Sequence, residues 1–356
     1  PPPPPPVPDV VPTTGLAPIP SNFDTAPEYV KSWGTGAIPP SAAPDVVGAF
    51  RFICTPSHLS YDDPVVYPGQ PGKSHLHQYF GNTGADANST YASLRTTGNS
   101  TCNSPLNRSA YWMPALMNGS VVIQPDYVSI YYKRRPATDP LCAKIGKACV
   151  NLPRGLRFIF GRNMLDLAQA PTGAAYFNCQ GSGVTQAHYN TLKTALKNCP
   201  AGAQLGVIIN APECWDGKNL DSADHRSHVA YSAYIGQAYA QCPVTHPYVI
   251  PTFTIGAWYT IGADVDRSGV WDGTYKANTL RFSSDDMPGM PMEPGSTIHA
   301  DWFGAWDDQA MALWSGNCID KMLNCSGGDL GNGQQMKMFA GFNMGPKPNL
   351  PIPPRP

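Results

Sequence analysis

The 356-residue chain carries 24 Lys+Arg against 25 Asp+Glu, a net charge of −1, and only 14% of its residues are charged. That balance excludes the basic footprint of a nucleic-acid or anionic-membrane binder and suits a polar, weakly charged partner, a neutral glycan rather than a polyanion. No apolar run approaches the roughly 20 residues of a membrane span, and no basic n-region with an apolar h-region opens the chain, so the expectation is a mature, processed protein.

Residues 1–46 begin with six prolines and continue in Pro, Ala, Ser and Thr, a composition that favours extended polyproline backbone and reads as a linker or stalk. An ordered course along the domain surface is the alternative. From residue 47 short β-prone runs alternate with turn residues: AFRFIC (49–54), SVVIQ (120–124), YVSIYYK (127–133), LRFIF (156–160), AYFNC (175–179), LGVIIN (205–210) and PYVIPTFTIGAWY (247–259). A mainly β fold follows, a jelly-roll-like β-sandwich. Helical periodicity shows only in TQAHYNTLKTALKN (185–198), with Tyr189, Leu192 and Leu196 on one face, and in DDQAMALWSGNCI (307–319). The Gly/Asn/Ser/Thr-rich segment 81–119 reads as a long loop. With no internal repeat or interior linker, 47–344 is one domain, and 345–356 is a second proline-rich tail.

Ten cysteines with no CxxC-type pair point to five disulfides in an oxidising compartment rather than to zinc. Sequence does not settle connectivity; near-neighbour pairing (54 with 102, 142 with 149, 179 with 199, 214 with 242, 318 with 325) is the simplest choice. Sequons at Asn88, Asn99, Asn107, Asn118 and Asn324 fit a secreted, extracellular glycoprotein.

Three segments concentrate the chemistry. In SHLHQYF, His75 and His77 are two apart, so an extended strand projects both imidazoles from one face. IHADWFGAW repeats this with His299 and Asp301 on one face and Ile298, Ala300 and Trp302 on the other. The stretch ECWDGKNLDSADHRSHVAY (213–231) supplies Asp224, His225 and His228 from a loop, where Asp221 and Asp224 could equally be turn or capping residues. These three segments are expected to meet in one cleft. One divalent metal ion held by His75, His77, His225 and His299, with Asp301 or Asp224 assisting, is one option; metal-free acid/base catalysis by a His–Asp pair, with Arg157 or Lys218 steadying charge, is the other. Trp215, Trp302 and Trp306 flank the segments and could grip sugar rings, or could simply be core. In ADVDRSGVWDG, Asp264, Asp266 and Ser268 match the start of a calcium loop, but Tyr275 stands where a bidentate Glu belongs, so a plain turn is expected.

The blocks HLHQYFGN, SAYWMPAL, GLRFIFG, ECWDGKNLDSADHRSHVAY, CPVTHPYVIP and IHADWFGAW, in that order from about Phe50 to Cys318, resemble a family of secreted fungal and bacterial proteins catalogued as a domain of unknown function. The resemblance implies an extracellular protein that can occur beside carbohydrate- or cell-wall-binding modules, and it implies no reaction. The proline- and methionine-rich stretch 282–295 is less regular than the family pattern. The functional expectation is a secreted carbohydrate-active enzyme, a hydrolase or lyase on an extracellular polysaccharide, working through the His/Asp cleft. Its alternatives are a non-catalytic glycan-binding or adhesion module and an extracellular metal-binding protein. Oligomeric state is not legible.

Overall fold

Runs of β-branched and aromatic residues pair into two sheets that share one core. In the computed structural model, which describes residues 13–32, 38–40, 47–164, 174–184, 187–234, 236, 239–287 and 290–356, the principal strands are β1 (Gly48–Cys54), β2 (Pro56–Ser60), β3 (His77–Gly81), β4 (Ala110–Pro114), β5 (Tyr127–Arg134), β6 (Arg157–Gly161), β7 (Ala175–Gln180), β8 (Gln204–Asn210), β9 (Thr252–Thr260), β10 (His299–Phe303) and β11 (Asn324–Cys325). One sheet has the order β6-β10-β4-β3-β2, the other β7-β8-β9-β5-β1-β11, and only the short β1–β11 pairing is parallel. Phe52, Ile130, Val207 and Phe253 of the second sheet pack with Tyr111, Met113, Phe158 and Trp302 of the first in one apolar cluster. The fold is mainly β, as the sequence predicts.

The two sheets differ in how they meet solvent. Strand β5 alternates buried and half-buried residues, the pattern of a one-sided sheet, whereas β3, β4 and β10 are buried throughout. A second apolar cluster explains the difference: Tyr79, Trp112 and Phe303 on the outer face of the five-stranded sheet are roofed by Val65, Tyr91 and Leu94. The sandwich therefore carries a third layer, made of the 61–66 loop and a helix at Tyr91–Thr96 whose N-cap Thr90 accepts from the Ser93 amide.

This roof corrects the reading of 81–119 as one loop, because Tyr91–Thr96 is helical and Ala110–Pro114 is a central strand. A strand buried on both faces has no polar/apolar alternation to betray it. The helix expected over 185–198 is shorter: Tyr189 exchanges backbone hydrogen bonds with Phe177 at 2.8 Å, and only Leu192–Lys197 is helical, capped by Thr191. Residues 185 and 186 lie outside the described set. The second predicted helix is present as Asp308–Trp314, continued by a π turn at Ser315–Ile319. All five disulfides follow the near-neighbour pairing, and Asn88 and Asn99 are the exposed sequons, Asn107 and Asn118 being buried.

Both proline-rich ends lie against the domain where they are described. Tyr29–Lys31 pairs with Gln334–Met336, and Leu350–Pro351 pairs with Val121 and Val122. The N-terminal stretch is held through Asp307, which caps the 308–314 helix and accepts from Ser21 (3.0 Å), Tyr29 (3.1 Å) and the buried Arg95 guanidinium (3.2 Å). Removing one partner of such a buried pair strands the other charge. Asp307→Ala is thus expected to destabilise the fold by about 3–5 kcal/mol in denaturant melts, with Asp307→Asn in between because it retains capping; a loss below about 1 kcal/mol would show that the tether does not matter.

Candidate metal centre

Strand alternation separates the chemistry from the core. On β10, Ala300 and Trp302 face the sandwich interior, so His299 and Asp301 face the roof side. Register places Asp301 opposite Trp112 of β4, and Trp112 opposite Tyr79 of β3, with His77 two residues before Tyr79 on the same face. His75 precedes β3 on the segment leading into it. The roof loop adds Asp63, whose carboxylate accepts from the amides of Val65 and Val66, both at 2.9 Å.

One ligand atom from each of His75, His77 and His299 lies within 4.8 Å of the other two, and the same holds for Asp63, His77 and Asp301. His75 and His77 rings are 4.1 Å apart, and His75 meets His299 edge-on at 5.2 Å. Each imidazole has its Nδ1 engaged outward. In His77 it faces the Asp62 carbonyl at 3.0 Å, and in His299 the Thr297 carbonyl at 2.7 Å; a carbonyl only accepts, so Nδ1 carries the proton. In His75 it lies 3.1 Å from Ser283 Oγ, whose own proton goes to the Leu76 carbonyl. The Nε2 lone pairs are left over, and that of His77 is buried without a hydrogen-bond partner among the described residues. Outward-tied Nδ1 and bare Nε2 are what metal-ligating histidines show.

Electrostatics agree with the geometry. Burial, reinforced by the neighbouring imidazoles, holds His75 and His299 well below the ordinary histidine value and His77 down at about 3, so all three are neutral. Burial pushes Asp63 up to about 6, and burial with the Asp63 charge pushes Asp301 well above the carboxylate range. Both Asp301 oxygens lack a hydrogen-bond partner among the described residues, and the residue is 1% exposed. Its nearest cation-forming neighbour, His299 Nε2, is 3.9 Å from Oδ2. A buried carboxylate in this state either stays protonated, as its raised pKa allows, or calls for a cation among these ligands. Three imidazoles and two carboxylates suit a first-row divalent ion such as zinc better than magnesium or calcium, which want all-oxygen shells.

The third segment contributes one side wall. The backbone of 220–225 bonds along the free edge of β6, through Arg157 N to Leu220 O (3.0 Å) and Ile159 N to His225 O (2.9 Å). His225 sits at φ 56°, a left-handed conformation that is uncommon outside glycine, and its Nδ1 is 2.8 Å from Asp221, which in turn holds Arg157 at 2.9 Å. The Asp221 hydrogen bond raises the His225 pKa, and the Asp63 charge adds to the rise. His228 points elsewhere: both ring nitrogens are taken, by Ser222 Oγ (2.8 Å) and the Arg157 carbonyl (2.9 Å). Asp224 accepts from Ser222, Arg226 and Ser227 and is the turn-forming aspartate.

The remaining candidates fall outside the cleft. Trp215, Trp302 and Trp306 are buried with no ring face open to a sugar, and Trp215 and Trp306 spend their indole N–H on Asn219 O and Tyr132 Oη. Arg157 is committed to Asp221, and Lys218 is an exposed turn residue. Asp264 accepts from Asn118 and Asp266 closes a local turn onto Ser268, so ADVDRSG is a plain turn. His188 stacks on Tyr176 at 4.0 Å ahead of the helix, and His246 bonds the Ser227 carbonyl. The cavity bounded by Leu192, Leu196, Trp271 and Pro294 shares no residue with the cluster. Sequence reasoning missed Asp63, since YDDP reads as a turn.

These features define a disulfide-stapled β-sandwich bearing a His/Asp cluster on the roofed face of one sheet. Residues 63–306, more than half of the chain, match the family described as a domain of unknown function (DUF1996), and the protein belongs to that family. No curated protein and no solved structure matches the chain. The match begins at Asp63 and takes in every residue of the cluster. The His225–Asp221 contact makes its own prediction: in an NMR titration His225 should protonate with a midpoint above 6.5, and Asp221→Asn should bring it down. An unchanged midpoint would mean that Asp221 does not tune the ring.

Proposed function

We propose that this is a secreted, metal-assisted hydrolase or lyase acting on an extracellular polysaccharide at the cluster Asp63, His75, His77, His299 and Asp301. The observation that carries the reading is the convergence of His77 Nε2 and the Asp301 carboxylate, both without a hydrogen-bond partner among the described residues, on the Asp63 carboxylate. A divalent ion held there would act as a Lewis acid and lower the pKa of water. The chain's own residues do the rest. His75 is half-buried and marks the side from which a substrate enters. His225, also half-buried, keeps Nδ1 on Asp221 and has Nε2 available to take or give a proton, with Arg157 fixing Asp221 in place.

Five disulfides and two exposed sequons support the extracellular setting, and no helix among the described residues is long and apolar enough to cross a membrane. The low charged fraction supports a glycan as partner. A non-catalytic metal-binding protein is the second reading, favoured by the near-complete burial of His77, His299, Asp63 and Asp301. A purely glycan-binding module loses the tryptophan faces that recommended it.

Elemental analysis of protein purified without chelator should find one equivalent of a first-row divalent metal, lost in His77→Ala and in Asp301→Asn. The metal-loaded chain should cleave members of a plant, fungal and bacterial glycan panel. His225→Ala should retain metal while turnover falls by about 10²–10⁴-fold, the usual worth of a general acid or base. Stoichiometric metal with no cleavage anywhere in the panel would favour the non-catalytic reading, and absence of metal would remove both.

A further inference from the structure

The geometry points to a second glycan site on the far side of the sandwich: the open face of the six-stranded sheet binds a β-linked glucan chain, with Trp258 as the platform under one glucose ring. The inference goes beyond the proposed function and does not depend on a metal. Strands β5 and β7 alternate buried and half-buried residues, so the outer face of this sheet is uncovered, unlike that of the roofed sheet. Trp258 of β9 points outward, since its neighbours Ala257 and Tyr259 belong to the core, and register places it between Gly206 of β8 and Tyr127 of β5. A Cβ added at Gly206 would lie 2.8 Å from the six-membered ring of the indole, and one added at Gly256 would lie 3.3 Å from its Nε1. A side chain standing upright from a sheet clears the Cβ positions around it. The half-buried Trp258 therefore lies flat over two buried glycines, one ring face on the backbone and the other toward solvent. Trp112, Trp302, Trp306 and Trp314 pack against other rings, whereas no ring among the described residues packs on Trp258.

Beside the platform a set of polar groups is held in fixed orientation. The buried Asp126 carboxylate accepts from Gln204 Nε2 (2.6 Å) and Thr260 Oγ1 (2.7 Å), which leaves Gln204 Oε1 to accept from Gln180 Nε2 at 2.8 Å. Gln180 Nε2 also donates to Tyr127 Oη at 3.3 Å. Both amide protons of Gln180 are thus spent. Its Oε1, an acceptor, and the Tyr127 hydroxyl proton, a donor, are left without a partner among the described residues. A vicinal pair of sugar hydroxyls is the complement, one giving a proton and one taking it. Charge complementarity points the same way. In the row of Trp258 and the rows on either side, the outward residues are amides, hydroxyls, glycines and Ile208, with no charged side chain apart from the buried, hydrogen-bonded Asp126. Arg51 and Lys133 sit over Tyr131, farther along β5. An uncharged ligand with apolar ring faces and hydroxyl edges fits. A β-linked glucose ring carries its substituents equatorially, so both of its faces are lined by C–H and suit a flat indole. A stable protein partner would want an apolar core to its patch, which rows of amides and hydroxyls do not provide. The cluster lies outside the other sheet, so this site holds the protein on a polysaccharide rather than feeding the cleft.

Calorimetric titration of the full chain with cellohexaose and with laminarihexaose, which differ only in linkage, tests the site. At least one should bind saturably, with the same affinity in EDTA-treated protein and in His77→Ala, which separates this site from the cluster and leaves the proposed function to its own tests. Trp258→Ala should weaken binding about tenfold or more, the scale of one aromatic contact, and Trp258→Tyr should keep part of it. Tyr127→Phe, which removes a single hydroxyl from the surface, should weaken binding by about threefold to tenfold. No binding of either glucan, or an affinity that neither Trp258→Ala nor Tyr127→Phe moves, would overturn the inference. Binding lost on chelation or in His77→Ala would overturn it too, by assigning the sugar to the cluster. So would tighter binding of chitohexaose than of either glucan, or a dimer in sedimentation that Trp258→Ala dissociates, since each gives the face a different occupant.

Discussion

The alternation of side chains along β10 is the constraint on which the rest of the structure depends. Because successive residues of a strand face opposite ways, Ala300 and Trp302 commit to the sandwich core and His299 and Asp301 are delivered together to the other side. That side would ordinarily be solvent. Here the roof of Val65, Tyr91 and Leu94 closes over the neighbouring Tyr79 and Trp112, so His299 and Asp301 end up buried as well. A carboxylate in such a place has either to remain neutral or to find a cation, and the neutral imidazoles around it cannot serve as one.

Much of this was legible. The two-residue spacing of His299 and Asp301, with apolar residues between and after, states the geometry outright, and His75 and His77 do so nearly as well. The loop 213–231 announced itself by density, yet density did not say which members turn inward. His228 lost both nitrogens to local partners and Asp224 became the turn aspartate, while His225, in a left-handed backbone at φ 56°, ties its Nδ1 to Asp221. No one-dimensional pattern carries that information.

What stayed hidden did so for identifiable reasons. Asp63 sits in a tight turn whose sequence is indistinguishable from any other turn, and its importance comes from a roof that joins residues far apart. The strand Ala110–Pro114 has no alternation because both of its faces are covered. The tryptophans were ambiguous from the start, and alternation along β10 had already placed Trp302 opposite the polar residues. Proline-rich ends look like spacers by composition, but Asp307 and the 74–76 segment offer them carboxylate and carbonyl hydrogen-bond acceptors that composition does not describe.

The distance in sequence between the walls of the cleft has a kinetic meaning. His75 and the Ser283 hydroxyl that orients it are 208 residues apart, so the cleft requires closure of a very long loop and cannot assemble before β3, β4 and β10 have come together. The unfolded chain offers at most isolated His and Asp side chains, without the converging geometry. Any ion that prefers the assembled cleft therefore draws the folding equilibrium toward the native state in proportion to the logarithm of its concentration over its dissociation constant. Under the metal-assisted reading, ambient metal would then set how long the folded protein survives.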